Sequence, residues 1–138
     1  MGWDLLVIDG KDAPASLQNA PRDWSPARLG SAAEVRTRIS GVIPTIDWTD
    51  PQWGSYLTDD FAIEFSLTDD PVEAIGVHVH GGGDPVSPLV ALCRAQKWAA
   101  IDLSDSEFLD LDDPSSAGWT AFCAYRDKVL QQYDDPVS

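Results

Sequence analysis

The sequence predicts an α+β protein: a mixed four- to five-stranded sheet with about three helices packed mainly on one face. Two segments, 61–67 and 73–79, alternate apolar and polar residues with a period of two, which is typical of half-buried strands. Other segments repeat apolar residues at helical spacing behind capping residues. With 138 residues, 43% of them apolar, we expect a single domain, 1-138.

The first quarter of the chain is expected to supply a strand, a connection and a helix. Residues 3–8 form a short apolar run typical of a buried strand, and residues 9–29, which hold three of the ten prolines, are expected to be irregular. Ser31 and Glu34 form a capping box at the start of a helix that Pro44 ends.

A polar segment, 47–54, follows that helix and is predicted to be a loop. Its tryptophans, Trp48 and Trp53, are expected to hold the loop on the body of the protein, because burying an indole is strongly favourable. An exposed tryptophan pair that stacks on a ligand is the alternative.

The strands 61–67 and 73–79 are expected to form a hairpin. Phe61, Ile63 and Phe65 share one face of the first strand, and Ile75 and Val77 share one face of the second. Opposed residues of a hairpin lie on the same face, so both apolar sets point inward only if the loop holds an odd number of residues. We therefore expect a loop of three or five residues, or a bulge.

Three glycines, 81–83, precede the next helix, with Asp84 as its N-cap and Pro85 at its first position. Backbone N–H groups of such a run can bind a phosphate. However, the spacing matches no phosphate-binding fingerprint, and Asp84 places a negative charge where the anion would lie. A tight strand-to-helix turn is the preferred explanation for the glycines.

The last part of the chain is predicted to contain a strand, an acidic loop and a helix. The strand 99–103 is expected to lie parallel to 73–79 after a right-handed crossover. Residues 104–116 are expected to be an acidic loop, and a final helix is expected at about 118–132.

The charge of the chain limits its partners. There are 23 acidic residues against 9 basic ones, a net charge of -14, which repels nucleic acid and anionic membranes and attracts a basic protein. No apolar run approaches the roughly 18 residues that span a bilayer. The N-terminus lacks the basic region of a secretory signal, so we expect a cytoplasmic protein.

One candidate site lies on the sheet face away from the apolar core. His78 and His80 project to that face, Glu64 is expected on the neighbouring strand within diagonal reach, and Asp102 is expected to point there too. Two imidazoles with carboxylates suit zinc, non-haem iron or acid–base catalysis. The alternative is an ordinary solvated sheet face.

The second candidate is an acidic surface with two apolar anchors, which is expected to contact a basic partner. Its residues are Asp102, Glu107, Phe108, Leu109, Asp110, Asp112 and Asp113. The aspartates do not follow the spacing of a calcium-binding loop. Cys93 and Cys123 fit neither a zinc site nor a disulfide framework, and no cofactor is indicated.

Five segments together resemble a group of small, acidic, uncharacterised bacterial proteins, some of which are similar to immunity proteins of polymorphic toxin systems. The segments are 3–6, 47–54, 63–65, 77–85 and 106–110. The resemblance covers roughly residues 3 to 110 and carries no assigned catalytic chemistry. It implies a protein that binds and neutralises a toxin domain.

Three functions are therefore considered from the sequence. The first is a non-enzymatic binding protein that neutralises a basic partner. The second is a metal-dependent or acid–base enzyme that uses the histidine cluster. The third is a small-ligand-binding domain. The oligomeric state is left open by the sequence.

Overall fold

A computed structural model describes residues 3–11, 20, 22, 26–67, 70–103, 107–109 and 111 of the chain. In these ranges the protein has seven strands and two helices, which confirms the α+β class. The elements are β1 (Trp3–Asp9), α1 (Ala32–Val42), β2 (Asp47–Asp50), β3 (Trp53–Leu57), β4 (Phe61–Ser66), β5 (Ile75–Gly81), α2 (Val86–Gln96), β6 (Trp98–Asp102) and β7 (Glu107–Phe108).

All seven strands form one sheet in the order β2-β3-β4-β5-β1-β6-β7. Every pairing is antiparallel, so the expected mixed sheet of four to five strands is wrong in both respects. Strands β5 and β6 run in the same direction, as predicted, because both pair antiparallel with β1. The sequence did not reveal that β1 lies between them and pairs with both.

The segment 47–54 is a β-hairpin and not the predicted loop. Strands β2 and β3 pair through Asp47–Ser55 and Asp50–Trp53. Gly54 allows Trp48 to pack closely, because a Cβ at Gly54 would lie 2.7 Å from the indole ring. The Trp48 Nε1–H also donates to Ser40 Oγ at 3.0 Å, which joins the hairpin to α1. The segment 47–54 is polar in composition, and it forms strands because of these tertiary contacts.

Helices α1 and α2 both pack on the same face of the sheet. Their buried side chains, among them Val35, Ile39, Leu89 and Leu92, belong to one apolar cluster with the inward residues of β1, β4 and β5. Ser31 is the N-cap of α1, as predicted, and Glu34 N–H donates to its Oγ at 3.1 Å; the Glu34 carboxylate accepts from the Ser31 hydroxyl at 3.3 Å, so the capping box is formed in part. The helix predicted at 118–132 lies outside the described residues.

The β4–β5 hairpin has the parity that the apolar pattern requires. Ser66 pairs with Gly76 and Phe65 with Val77, so both apolar sets face the same way. The connection between Ser66 and Gly76 has an odd number of residues, as predicted, but it is longer than three or five. It is held by Val72, which is fully buried and exchanges backbone hydrogen bonds with Leu29 and Gly30.

The glycines before α2 are explained by a close backbone contact with the β3–β4 turn. Gly81 has a φ of +99°, and a Cβ there would lie 2.6 Å from the Asp60 carbonyl oxygen. Gly82 N–H donates to the same oxygen at 2.7 Å. Helix α2 begins at Val86 with Pro85 at its N-cap position, one residue later than predicted, and Asp84 just before it accepts hydrogen bonds from the Ser87 N–H and hydroxyl. These contacts favour the interpretation of the glycines as a tight turn and not as a phosphate-binding loop.

The two faces of the sheet differ in character. The face under the helices carries the apolar core and is called the core face. The opposite face, called the open face, presents partly or fully exposed residues on β1, β3, β4 and β5. The open-face residues are Asp4, Leu6, Trp53, Ser55, Leu57, Ala62, Glu64, Ser66, Gly76, His78 and His80.

The open face ends at the centre of the sheet. On β1 and β6, Ile8 and Ile101 point to the same side as the open-face residues, yet they are 1% and 6% exposed and lie outside the main apolar cluster. The sheet is therefore covered on both sides around β6 and on one side around β3 to β5. Of the described helices, neither has the length and hydropathy needed to span a membrane.

Candidate functional site

A row of polar side chains crosses four strands of the open face. The register pairs Asp4 of β1 with His78 of β5, His78 with Glu64 of β4, and Glu64 with Ser55 of β3. Directly opposed residues on neighbouring antiparallel strands are close enough for their side chains to interact. The register thus puts one carboxylate on each side of the His78 imidazole.

The Asp4–His78 pair is the strongest polar contact in this row. His78 Nδ1 lies 2.7 Å from Asp4 Oδ1. An ionised carboxylate can only accept, so the Nδ1–H group of His78 donates a hydrogen bond to Asp4 Oδ1. The side chains are 40% and 50% exposed, so solvent reaches both. The hydrogen bond fixes the ring orientation of His78 and leaves the second nitrogen, Nε2, available to another group.

Trp53 stacks on His78 within the open face, from the β3 side. The ring centroids lie 5.9 Å apart and the planes differ by 20°. Trp53 is on β3 and His78 is on β5, so the indole reaches across β4. The residues in register with Trp53 are Ser66 on the intervening β4 and Gly76 on β5, and their small size leaves room for the indole.

Exposed apolar side chains surround the polar row. The large apolar residues exposed within the described ranges are Trp53 at 37%, Leu57 at 70% and Leu103 at 50%. Leu57 ends β3 in register with Ala62 and His80. The Leu103 N–H donates to the Asp4 carbonyl at 3.1 Å, which places Leu103 beside Asp4. All three therefore border the open face.

The predicted histidine cluster is only partly assembled. Glu64 lies directly opposite His78, closer than the expected diagonal, and His80 is on the same face but opposite Ala62. Within the described ranges, no three residues among His, Cys, Asp and Glu come together in a way that could hold a metal ion. The geometry offers an imidazole between two carboxylates, and no set of metal ligands.

Asp102 does not belong to this cluster, which corrects the expectation from the sequence. It pairs with core-facing Leu5, whereas Ile101 pairs with Leu6 on the opposite side. The predicted direction of Asp102 requires its neighbours Ile101 and Leu103 to face the core. Trp98 and Ala100 face the core instead, so Asp102 shares their side and is 2% exposed.

The predicted acidic binding surface is also changed. Asp102 and Leu109 are 2% and 7% exposed, so neither can act as a surface contact in this structure. Leu109 N–H donates to the Ala100 carbonyl and its side chain joins the core cluster, which is why it is buried. Phe108 is partly buried in β7. The Glu107 side chain and Asp110, Asp112 and Asp113 lie outside the described residues.

Asp4 is the site residue that the sequence analysis missed, and Trp53 appears there only in the alternative of an exposed tryptophan pair that stacks on a ligand. Asp4 lies within an apolar strand, and the sequence predicts no contact for its side chain because nothing local shows that β1 pairs with β5. The alternation of Asp4 between Trp3 and Leu5 was the available signal, since it puts Asp4 on the face away from the core. Trp53 was expected to pack as a loop residue.

Chemically, the open-face cluster can accept hydrogen bonds and positive charge, and it presents a flat aromatic surface. Carboxylates on two strands favour a cation. Indole and imidazole rings favour a planar or cationic group. General acid–base chemistry would also use a carboxylate-oriented histidine.

Comparisons of the chain with protein-family models, with curated proteins and with solved structures found no match.

Proposed function

We propose that this chain is a non-enzymatic cytoplasmic binding protein that neutralises a basic protein, and that the open face is its contact surface. The observation that carries the proposal is the clustering of all the exposed large apolar side chains within the described ranges on one sheet face. Trp53, Leu57 and Leu103 surround the row formed by Asp4, His78 and Glu64.

Protein interfaces commonly combine these features. A few aromatic and aliphatic anchors supply most of the binding energy once they are desolvated by a partner. Charged groups nearby attract a partner of opposite charge and set its orientation. The open face has both, and the net charge of -14 steers a basic protein toward it.

The proposal keeps the functional class indicated by the resemblance to immunity proteins, and it moves the contact surface. Asp102 and Leu109 are buried, so the surface expected around residues 102–113 loses two of its members. The residues of the open face lie in register on neighbouring strands that are hydrogen-bonded to one another. A toxin domain with a basic active-site cleft is the partner class that an acidic inhibitor fits.

Binding is favoured over catalysis by the exposure of the site. A catalytic histidine is most effective where water is excluded and the surroundings strengthen electrostatic interactions. His78 is 40% exposed and Asp4 is 50% exposed on a sheet face. Such a surface is suited to being covered by another protein.

The proposal is tested by capture and titration with open-face variants. The tagged protein is incubated with lysate of its native host at low salt, and the retained basic protein is purified and titrated by calorimetry. The double variant Leu57→Ser, Leu103→Ser should bind about tenfold more weakly, because two exposed anchors are lost. Binding should also weaken as salt is added.

The matched control is Ala33→Ser, Ala91→Ser, which changes two exposed positions on α1 and α2. This variant should bind like the wild-type protein. Equal affinity of the partner for the wild-type protein and for the leucine variant, with both variants folded by circular dichroism, would show that the open face is not the contact surface.

A further inference from the structure

We infer that the centre of the open face is a recognition site for an arginine side chain of the partner. The site is formed by Trp53, His78, Asp4 and Glu64, and it is called the arginine site below. This inference rests on the proposed function and adds to it the chemical group that the surface selects.

The first argument is charge. Asp4 and Glu64 lie on the two strands next to β5, one on each side of His78. Neighbouring strands are about 4.8 Å apart, so the backbones of the two acidic residues are roughly 10 Å apart. A cation placed on the indole next to His78 is therefore within reach of carboxylates from the strands on both sides of β5. Neither acidic side chain is buried, so each can turn toward a ligand without losing hydration first.

The second argument is the shape of the surface. Trp53 and His78 are stacked with ring centroids 5.9 Å apart and planes 20° apart, so one face of the indole lies against the imidazole and the other face forms a flat aromatic platform. The platform lies over Ser66 and Gly76, whose small side chains do not interrupt it. Trp53 remains 37% exposed, which leaves part of the indole open to a ligand.

The third argument separates arginine from lysine. A guanidinium is planar, stacks on aromatic rings and donates two parallel hydrogen bonds to one carboxylate. An ammonium is compact and strongly hydrated, and it gains less from a flat aromatic surface. A platform with carboxylates at its sides matches the guanidinium. The leucines beside it, Leu57 and Leu103, can contact the apolar stem of such a side chain or its neighbours.

The arginine site is tested with short capped peptides by nuclear magnetic resonance. The probes are one peptide with two arginines and two peptides of identical sequence with lysine or with citrulline, which has the shape of arginine without its charge. The indole N–H signal of Trp53 is assigned through Trp53→Phe. The arginine peptide should shift this signal in a saturable way, the lysine peptide should bind at least about threefold more weakly, and the citrulline peptide should produce no saturable shift.

Charge variants locate the carboxylate contribution. Asp4→Asn and Glu64→Gln should each weaken the arginine peptide by about threefold, the size expected for an exposed charge pair. Glu73→Gln is the matched control, because Glu73 is an exposed glutamate that lies beside Arg28 and is not one of the open-face strand residues. Its affinity for the arginine peptide should equal that of the wild-type protein.

Four results would overturn the inference: no shift of the Trp53 signal with the arginine peptide, equal binding of the citrulline peptide, equal binding of the lysine peptide, or no effect of Asp4→Asn and Glu64→Gln. If any of these occurs while the leucine variant still loses the protein partner, the arginine site is wrong and the proposed contact surface stands. If the leucine variant keeps the partner, the proposed function fails independently.

Discussion

At the scale of single residues, burial determines the chemistry of Cys93. Its side chain is 1% exposed in α2, and desolvation raises the pKa of the thiol to about 12 from an ordinary value of 9.0. The thiolate is the reactive form, so the folded protein should hold this cysteine unreactive at neutral pH. Cys93 is therefore a packing residue of the core.

We predict that iodoacetamide at about pH 8 does not modify Cys93 in the folded protein and modifies it fully in urea, as measured by peptide mapping. Because the folded pKa exceeds the unfolded one, the protonated thiol stabilises the fold below pH 9.0. That contribution is lost as the pH rises from 9.0 to about 12. Rapid modification of Cys93 without denaturant would contradict its burial.

Asp4 and His78 show how a pair of residues depends on the sheet and not on the local sequence. They are far apart in the chain, and their 2.7 Å contact exists only because β1 lies beside β5. The sequence placed His78 and Glu64 on one face by alternation alone. It predicted Asp102 beside them because the apolar residues around Asp102 suggested that Ile101 faces the core, whereas Trp98 and Ala100 face it.

At the scale of elements, the start of α2 is fixed by one capping side chain. Asp84 accepts hydrogen bonds from the Ser87 backbone N–H and hydroxyl, and the hydroxyl bond is the main reason that the pKa of Asp84 is lowered. The cap matters because α2 supplies Leu89, Leu92 and Cys93 to the core. The cap also positions the strand-to-helix turn that follows the open face.

We predict that Asp84→Ala lowers the free energy of unfolding by about 1 kcal/mol at neutral pH, measured by urea titration. The folded pKa of Asp84 is below 3.8, so its contribution is present above that pH and is lost as the pH falls through the lowered value. The difference between the two proteins should therefore shrink in strong acid.

Asp59→Ala is the control for this substitution, since Asp59 is an exposed aspartate in the β3–β4 turn. It should change the free energy of unfolding by less than about 0.5 kcal/mol. A difference between wild-type protein and Asp84→Ala that persists unchanged below the lowered pKa would mean that the carboxylate charge is not what caps the helix.

At the scale of the whole molecule, the uneven charge of the chain acts on folding and on binding in opposite ways. The net charge is -14 with histidine neutral, whereas Arg28 and Glu73, both exposed, form an ion pair with a long N···O distance of 3.9 Å. Like charges repel one another in the compact state, and the same charges attract a basic partner. Screening by salt should weaken both effects.

We predict that raising sodium chloride to about 0.2 M increases the melting temperature of the free protein by a few degrees, equivalent to roughly 1 kcal/mol. The measurement is differential scanning calorimetry at neutral pH. The same salt change should weaken binding of the basic partner, so the two slopes have opposite signs. A melting temperature that falls with salt would show that attractive ion pairs outweigh the repulsion.

The sequence by itself determined the α+β class, the N-cap of α1, the turn before α2, the faces of β4 and β5 and the odd hairpin connection between them. Each depends on residues close together in the chain, where alternation, helical spacing and cap geometry act directly. His78 and Glu64 were placed on one face for the same reason.

Only the tertiary structure decided where β1 is inserted, that 47–54 forms two strands, and that Asp102 and Leu109 are buried. These features depend on contacts between segments that are distant in sequence, and a strand pairing has no local signature of its partner. The candidate site combines residues from β1, β3, β4 and β5, so its full composition could appear only once the strand order was known.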